Sequence, residues 1–290
     1  MAEKIKLISD SGSDLRDELL GNRDIDVLPM IVTRDDDAEF DANIIDLQQM
    51  YSEMKAGSFF KTAQVNLDLY IKKFEKYTQE GYKIICVTLS SGLSSTYSTA
   101  VLAAETVCLQ DPSARIEVID SKSGTVGYGC PMTAAYDMLQ QGAGFEELTD
   151  YLKYAADHIE HIFTVQNLDT LFRGGRLTKT AYTLAVSLNI RPILEIDSAG
   201  SLTVIEKVRG EKKIRHKIAS MVAAKSKNSS QYPLCIVHSD AEEAADEIRK
   251  LILEQTSFSS VVMYPLGAPL SVHVGCGMMG FIFINPDKTV

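Results

Sequence analysis

The stretch KIICVTLSSGLSSTYSTAVLAAETV, from Lys83 to Val107, decides the fold. Ile84, Ile85, Val87 and Leu89 make a run of β-branched and aliphatic residues suited to a covered strand. Ser90, Ser91, Gly92, Ser94, Ser95 and Thr96 then fill a turn with hydroxyls, and Ala100 to Val107 continue as an apolar helix. A strand, a tight turn and a helix in that order make the basic unit of an α/β domain. The helix start offers free backbone N–H groups and the positive end of a dipole, which attract an anion. The turn holds no Lys or Arg, so any anion here is expected to be held by neutral donors.

The same alternation extends on both sides of this unit. Ile5 to Ile8 and Val27 to Val32 read as strands, and Asp10-Ser11-Gly12-Ser13-Asp14 between them reads as a capped helix start. Apolar residues at helical spacing mark Ile44 to Met54 and Leu67 to Tyr77, the latter ending before Gly81. Ile116 to Ile119 gives another strand, followed by helices over Tyr128 to Gln141 and Phe145 to Ile159. Residues 1–160 therefore read as an α/β domain with a mainly parallel sheet and flanking helices.

Residues 161–290 read as a mixed α+β domain. A strand over His161 to Val165 leads to the compact basic loop Arg173-Gly174-Gly175-Arg176 and a helix from Thr178 to Leu188. Pro192 to Ile196 and Leu202 to Val208 flank Asp197-Ser198-Ala199-Gly200 as a β-hairpin. A helix over Lys212 to Ala224, a strand over Leu234 to Val237, a helix over Ala241 to Glu254 and a strand over Val261 to Tyr264 follow. His273 to Gly280 reads as a glycine-rich loop before a last strand, Phe281 to Asn285. No flexible linker separates the halves, so their interface is expected to be close-packed and to hold a ligand cleft.

Composition narrows the function. The net charge of −10 argues against general nucleic-acid binding and against residence on an anionic membrane. No apolar run reaches the roughly 18 residues that cross a bilayer, and the first residues enter a strand directly, which argues against a signal peptide. The five cysteines lie in no CxxC pair and fit buried thiols in a reducing cytoplasm. The His158 and His161 pair falls where a helix gives way to a strand, so no metal is expected there.

Two motif matches compete for attention. Gly275-Cys276-Gly277-Met278-Met279-Gly280 spells GxGxxG, but the chain ends ten residues later and leaves no helix, strand and acid for a dinucleotide. Gly92-Leu93-Ser94-Ser95-Thr96 resembles a serine-hydrolase elbow in the right strand-turn-helix context. Thr96 replaces its last glycine, His273 is the candidate base, and no acid is identifiable to orient it. A hydrolase using Ser94 remains one reading, and hydroxyls that merely cap a helix another. Thr62, just before a helix expected near Asn66, is either a helix cap or a second hydroxyl donor. Arg173, Arg176, Lys207 and Arg209 are solvated surface charges, or a cationic patch for a phosphate or a partner's carboxylate.

Taken in order, these residues resemble the DegV family of bacterial fatty-acid-binding proteins. The resemblance rests on Asp10-Ser11 with Asp14, Lys61-Thr62-Ala63-Gln64, Ser90 through Tyr97, Asp120-Ser121, Leu171 with Arg173 through Arg176, Pro192-Ile193-Leu194, Lys207 with Arg209, and His273 with Gly275 and Gly277. It implies a two-domain protein with one long-chain fatty acid in a buried tunnel and no cofactor. Thr62, Ser94, Ser95 and His273 are placed by it at the carboxylate. It also implies that the bound acid is presented to a separate ATP-dependent fatty acid kinase for acyl-phosphate formation, as in phospholipid metabolism. Arg173, Arg176, Lys207 and Arg209 would then contact the kinase or the phosphate. Three motifs depart from the family pattern: Thr62-Ala63-Gln64-Val65 stands for Thr-Ser-Gln-Pro, Ser95 replaces a glycine, and Cys276 replaces a proline. Ser95 is expected to narrow the pocket mouth.

The energetics agree with a carrier. Each buried methylene contributes about 0.8 kcal/mol, so about 14 of them contribute on the order of 11 kcal/mol before ordering costs. The expectation is a cytoplasmic fatty-acid carrier with transient membrane contact, and not an enzyme. A serine hydrolase and a carrier of another amphipathic lipid are the alternatives.

Overall fold

A computed structural model describes residues 3–185 and 190–289. Four strands, β1 (Ile5–Asp10), β2 (Ile25–Leu28), β6 (Lys83–Thr88) and β7 (Ile116–Asp120), form a wholly parallel sheet in the order β2-β1-β6-β7. Every residue of β1 is buried, as expected of a parallel strand covered on both faces. Helices α1 (Asp17–Leu20), α3 (Leu67–Gln79), α4 (Thr96–Gln110), α5 (Val126–Gln140) and α6 (Phe145–His158) flank the sheet. Helix α3 buries Tyr70, Phe74 and Tyr77, one stripe at four- and three-residue steps, and Asn66 caps it by accepting from the Asp68 N–H.

From β1 the chain moves to β2 on one side, and from β6 to β7 on the other. The carboxyl ends of β1 and β6 therefore form the switch point where open α/β sheets bind ligands. Asp10 fastens that crevice. Its carboxylate accepts from Leu89 N at 2.8 Å, Gly12 N at 2.9 Å and the Tyr128 hydroxyl at 2.7 Å. The segment Ser11–Ser13 is a single tight turn capped by Asp10 and not the start of a long helix.

The expected Val27–Val32 strand is two strands in different sheets. β3 (Ile31–Arg34) leaves the parallel sheet and pairs with β4 (Glu39–Asp41) and β5 (Phe60–Ala63) in a small antiparallel sheet. Helix α2 (Leu47–Lys55) lies between β4 and β5 in sequence. Thr62 is thus a strand residue paired with Val32, and the capping role falls to Asn66.

The second domain is built on a six-stranded mixed sheet. Its strands are β8 (Ile159–Thr164), β9 (Ile190–Ile196), β10 (Leu202–Arg209), β11 (Leu234–His238), β12 (Val261–Pro265) and β13 (Met279–Ile284), in the order β10-β9-β8-β13-β11-β12. All pairs are antiparallel except β11 with β12. One face packs on α9 (Glu211–Lys225) and α10 (Glu242–Leu253): Ile162, Phe281 and Phe283 cluster with Ile214, Ile218 and Ile248. The period of two along a strand then sends His161, Phe163, Gly280 and Ile282 to the opposite face. The fold is therefore the two-domain α/β architecture expected, with a parallel and a mixed sheet.

Short helices α7 (Asp169–Arg173), α8 (Lys179–Ala185) and α11 (Ala268–Val274) complete the chain. The last part of the helix expected from Thr178 to Leu188 lies outside the described residues. Helix α11 departs from expectation, because it includes His273 and Val274, the start of the stretch expected to be a glycine-rich loop. Pro269 sits at the helix start, where it is tolerated, and Gly275 closes the helix at φ +75°. His273 accordingly projects from the last turn of a helix and not from a glycine-rich loop.

Candidate functional site

A narrow, mostly apolar cavity runs between the two sheets. The cavity volume is about 70 Å³, so the passage is narrow. Leu89, Leu93, Ser94, Gly124 and Thr125 line it from the carboxyl ends of the parallel sheet. The second domain contributes Phe163, Gly280 and Ile282 from its sheet, and α11 contributes Pro269, Leu270, His273 and Val274.

Polar groups gather around Thr62, Ser94, His273 and Arg176. Thr62 Oγ1 lies 2.8 Å from His273 Nε2. Burial, reinforced by the Arg176 charge, pushes the imidazole down to about 4, so it is neutral at physiological pH. With its proton on Nε2, His273 donates to Thr62 and leaves the threonine O–H to donate elsewhere. Ser94 Oγ lies 2.9 Å from the Thr96 hydroxyl, and Thr96 is fully buried at the start of α4. Two hydroxyls are thus each held by a second polar group, an arrangement that presents fixed O–H donors to an anion.

Arg176 enters this cluster from the loop after α7. Its Nε donates to Leu93 O at 3.0 Å and Nη1 to Gly174 O at 2.5 Å. Burial lowers its pKa from the ordinary arginine value. The hydroxyl turn itself has no cation, but folding brings one against it from a distant segment. The expectation of purely neutral donors around the turn is corrected in that respect. The glycines of Arg173-Gly174-Gly175-Arg176 also find a use. A Cβ at Gly174 would stand 2.4 Å from His273 Nδ1, and Gly175 adopts φ +74°.

The other expected site residues sit apart from the cavity. Ser95 is exposed at the N-cap of α4, makes no capping bond through its side chain, and does not line the cavity. Arg173 is exposed and lines an outer pocket, together with Lys61, that shares Thr62, Arg176 and His273 with the cavity. Lys207 and Arg209 are exposed on β10, opposite Pro192 and Ile190, and line neither pocket. The glycines of the GxGxxG match serve turns and close approach. Gly277 takes φ +85°, and a Cβ at Gly280 would stand 2.9 Å from Met278 Cε.

The geometry does not assemble a hydrolase. His273 Nε2 pairs with Thr62, Ser94 pairs with Thr96, and no described carboxylate hydrogen-bonds to His273. Among the described residues no cluster of three or more His, Cys, Asp or Glu could hold a metal, and no helix is long and apolar enough to cross a membrane. Another hydroxyl of the turn is structural. Ser90 Oγ donates to Gly200 O at 2.7 Å and ties the turn to the β9–β10 hairpin.

Two groups, Asp14 and His161, shape this site in ways that the sequence does not assign. Asp14 is buried and accepts from the Thr125 hydroxyl and from Gly267 N, fastening the cavity wall to the start of α11. Burial raises its pKa, while Arg16 opposes that rise. His161 is buried in the sheet wall, its Nε2 2.8 Å from the Ser123 hydroxyl. Sequence spacing marks it only as a neighbour of His158, and His158 bonds instead to Tyr154 O on the surface.

The DegV family profile, described as an uncharacterised protein family, matches residues 4–286. A DegV domain-containing protein of Clostridium acetobutylicum is 31% identical over 284 residues, covering 98% of this chain and 99% of the other. A Thermus thermophilus DegV protein, described for its fatty acid binding, superposes with a TM-score of 0.87 at 25% identity, covering 97% of this chain and 99% of that one. A DegV protein of Ruminococcus gnavus, solved with vaccenic acid, superposes with a TM-score of 0.86 at 26% identity, covering 96% and 99%.

Proposed function

The chain belongs to the DegV family, and from that premise we propose that it binds one long-chain fatty acid in the cavity between its sheets. The observation that carries the proposal is the presence of Thr62, Ser94, His273 and Arg176 in the lining of a narrow, mostly apolar cavity. An extended polymethylene chain matches such a cavity, and burial of each methylene contributes about 0.8 kcal/mol. Thr62 and Ser94 donate to the carboxylate, neutral His273 orients Thr62, and Arg176 supplies charge at the edge of the cluster. Ser95 has no part in this arrangement.

The protein presents its bound acid to an ATP-dependent fatty acid kinase and does no chemistry of its own. The outer pocket supports that reading, because Lys61, Arg173 and Arg176 line it beside Thr62 and His273. Cations immediately outside a carboxylate site suit a phosphate arriving with a partner's nucleotide. Lys207 and Arg209, farther along β10, offer charge to the partner's surface. Such a carrier works in the cytoplasm, with transient membrane contact to collect or release its ligand.

Mass spectrometry of lipid extracted from purified protein tests the binding claim. A stoichiometric free fatty acid is the expected result. Recovery of no acyl chain, with no fatty acid bound by delipidated protein, would refute it. Kinase-dependent conversion of the bound acid to an acyl phosphate tests the presentation separately.

A further inference from the structure

We propose that the cavity accepts an acyl chain bearing a hydrogen-bonding oxygen, in the simplest case a hydroxyl, and that His161 with Ser123 recognises that group. The inference rests on the fatty-acid reading and adds a substrate class to it. His161 lies on β8 and is 3% exposed. The strand period places it on the same sheet face as Phe163, and the ladder pairs it with Ile282; all three line the cavity.

The imidazole is half-satisfied. Nε2 is 2.8 Å from the fully buried Ser123 hydroxyl, whereas Nδ1 has no hydrogen-bond partner in the protein. Other buried side-chain atoms without partners among the described residues include the Tyr70, Thr88 and Thr149 hydroxyls, but none of their residues lines the cavity. A neutral imidazole in an apolar wall loses affinity for a plain methylene chain and gains it for a chain that offers a partner. Burial pushes the ring down to about 3, helped by Lys288 and Lys225, so the neutral form is present across physiological pH.

Either tautomer accepts a hydroxyl ligand. If Nε2–H donates to Ser123, Nδ1 is an acceptor for a chain O–H. If Ser123 donates to Nε2, Nδ1–H donates to the chain oxygen. His161 shares no hydrogen bond with Thr62, Ser94 or His273, so it can read the chain independently of the carboxylate. A site with a buried polar group discriminates against ligands that leave it unpaired, whereas a purely apolar pocket barely distinguishes an added hydroxyl.

The test compares octadecanoic acid with its mono-hydroxylated isomers by competition on delipidated protein. At least one isomer is expected to bind about tenfold more tightly than octadecanoic acid. The preference should vanish in His161→Leu and survive in part in His161→Gln. Nitrogen NMR of the wild-type histidines gives a readout that does not depend on a folded variant. The Nδ1 resonance of His161 should differ between the hydroxylated and plain acids. Equal affinity for all isomers, a preference that persists in His161→Leu, or an Nδ1 resonance identical with both acids would overturn the proposal. Octadecanoic acid binding in those same experiments would leave the fatty-acid reading standing, whereas failure of every acid to bind would remove both.

Discussion

The two walls of the cavity are made in different ways. On the side of the parallel sheet, the wall comes from strand ends and turns: Leu89, Leu93 and Ser94 after β6, and Gly124 and Thr125 after β7. On the side of the mixed sheet, it comes from residues within paired strands, Phe163, Gly280 and Ile282. Turns can aim hydroxyls and N–H groups in chosen directions, while a sheet face can only offer alternate side chains at fixed spacing. On the fatty-acid reading, Ser94 of the first wall meets the head group together with Thr62 of β5, His273 of α11 and Arg176, and the second wall supplies apolar contact. His161 is the exception on the second wall, which is why its unpaired nitrogen carries meaning.

The largest effect should come from the sheet wall. Phe163 is 6% exposed and packs in the cluster with Val126, Leu194 and Ile282. Phe163→Ala should destabilise the fold by about 3–5 kcal/mol, through lost transfer energy and a cavity. Denaturant unfolding of delipidated protein measures this. A loss below about 1 kcal/mol would mean that the wall is not a packed surface, and the contrast between the walls would break.

Acid should separate the walls next. His273 and His161 are held down at about 4 and about 3, so the unfolded chain takes up protons near 6.5 where the folded chain does not. Stability contributed by these neutral groups is present above pH 6.5 and is lost as pH falls toward those values. Asp10 works in the opposite sense. Burial raises it to about 6, so the folded state binds its proton first and gains relative stability between about pH 6 and 3.8. The expected net result is a decline below pH 6.5, partly offset by Asp10. His273→Gln should flatten that limb by about 3 kcal/mol or less. An unchanged limb would show that His273 is not buried as described.

How much of the molecule is legible in its residues follows the same division. The strand-turn-helix at Lys83 to Val107 is legible because its apolar run, hydroxyl turn and helix are contiguous. So are the β9–β10 hairpin and the helices with a single apolar stripe, such as α3 and α10. β5 and α11 are not legible. Phe60 to Ala63 has only four residues, and its pairing with β3 depends on a chain reversal that no local pattern encodes. Ala268 to Val274 forms less than two full turns beyond its glycine and proline flanks. These two elements carry Thr62 and His273, so sequence names both residues as candidates without their placement or mutual bond. Arg176 shows the same limit: its bond to Leu93 O spans 83 residues. The Arg-Gly-Gly-Arg pattern signals a close approach, but not that His273 occupies it.

Removing the head-group donors should weaken binding less than the sheet wall weakens the fold. Thr62→Ala with Ser94→Ala deletes hydrogen bonds to a charged group, each contributing about 1.5–3 kcal/mol when fully formed. The apolar contact and Arg176 remain, so the expected loss in fatty-acid affinity lies at the low end of that sum, on the order of 100-fold, by titration of delipidated protein. If the proposed presentation to a fatty acid kinase holds, acyl-phosphate formation should fall further than affinity does, because an unoriented carboxylate is misplaced for attack. Equal losses in both would mean that the hydroxyls only add affinity, and the two walls would then differ in amount and not in kind.

The smallest effect is expected at Ser95, where the family pattern has glycine. Sequence alone makes this serine a candidate to narrow the pocket mouth. In the fold it is exposed, at φ −77°, with no side-chain bond to the helix it precedes and no place in the cavity wall. A serine that does not cap contributes little, and glycine at an N-cap costs only about a few tenths of a kcal/mol. Ser95→Gly should therefore leave acyl-chain preference and affinity unchanged within error, measured across a series of chain lengths by competition. A shift in preferred chain length would place Ser95 at the mouth after all. It would also extend the orienting wall one residue toward α4, past the point where the hydroxyls of the turn stop facing the ligand.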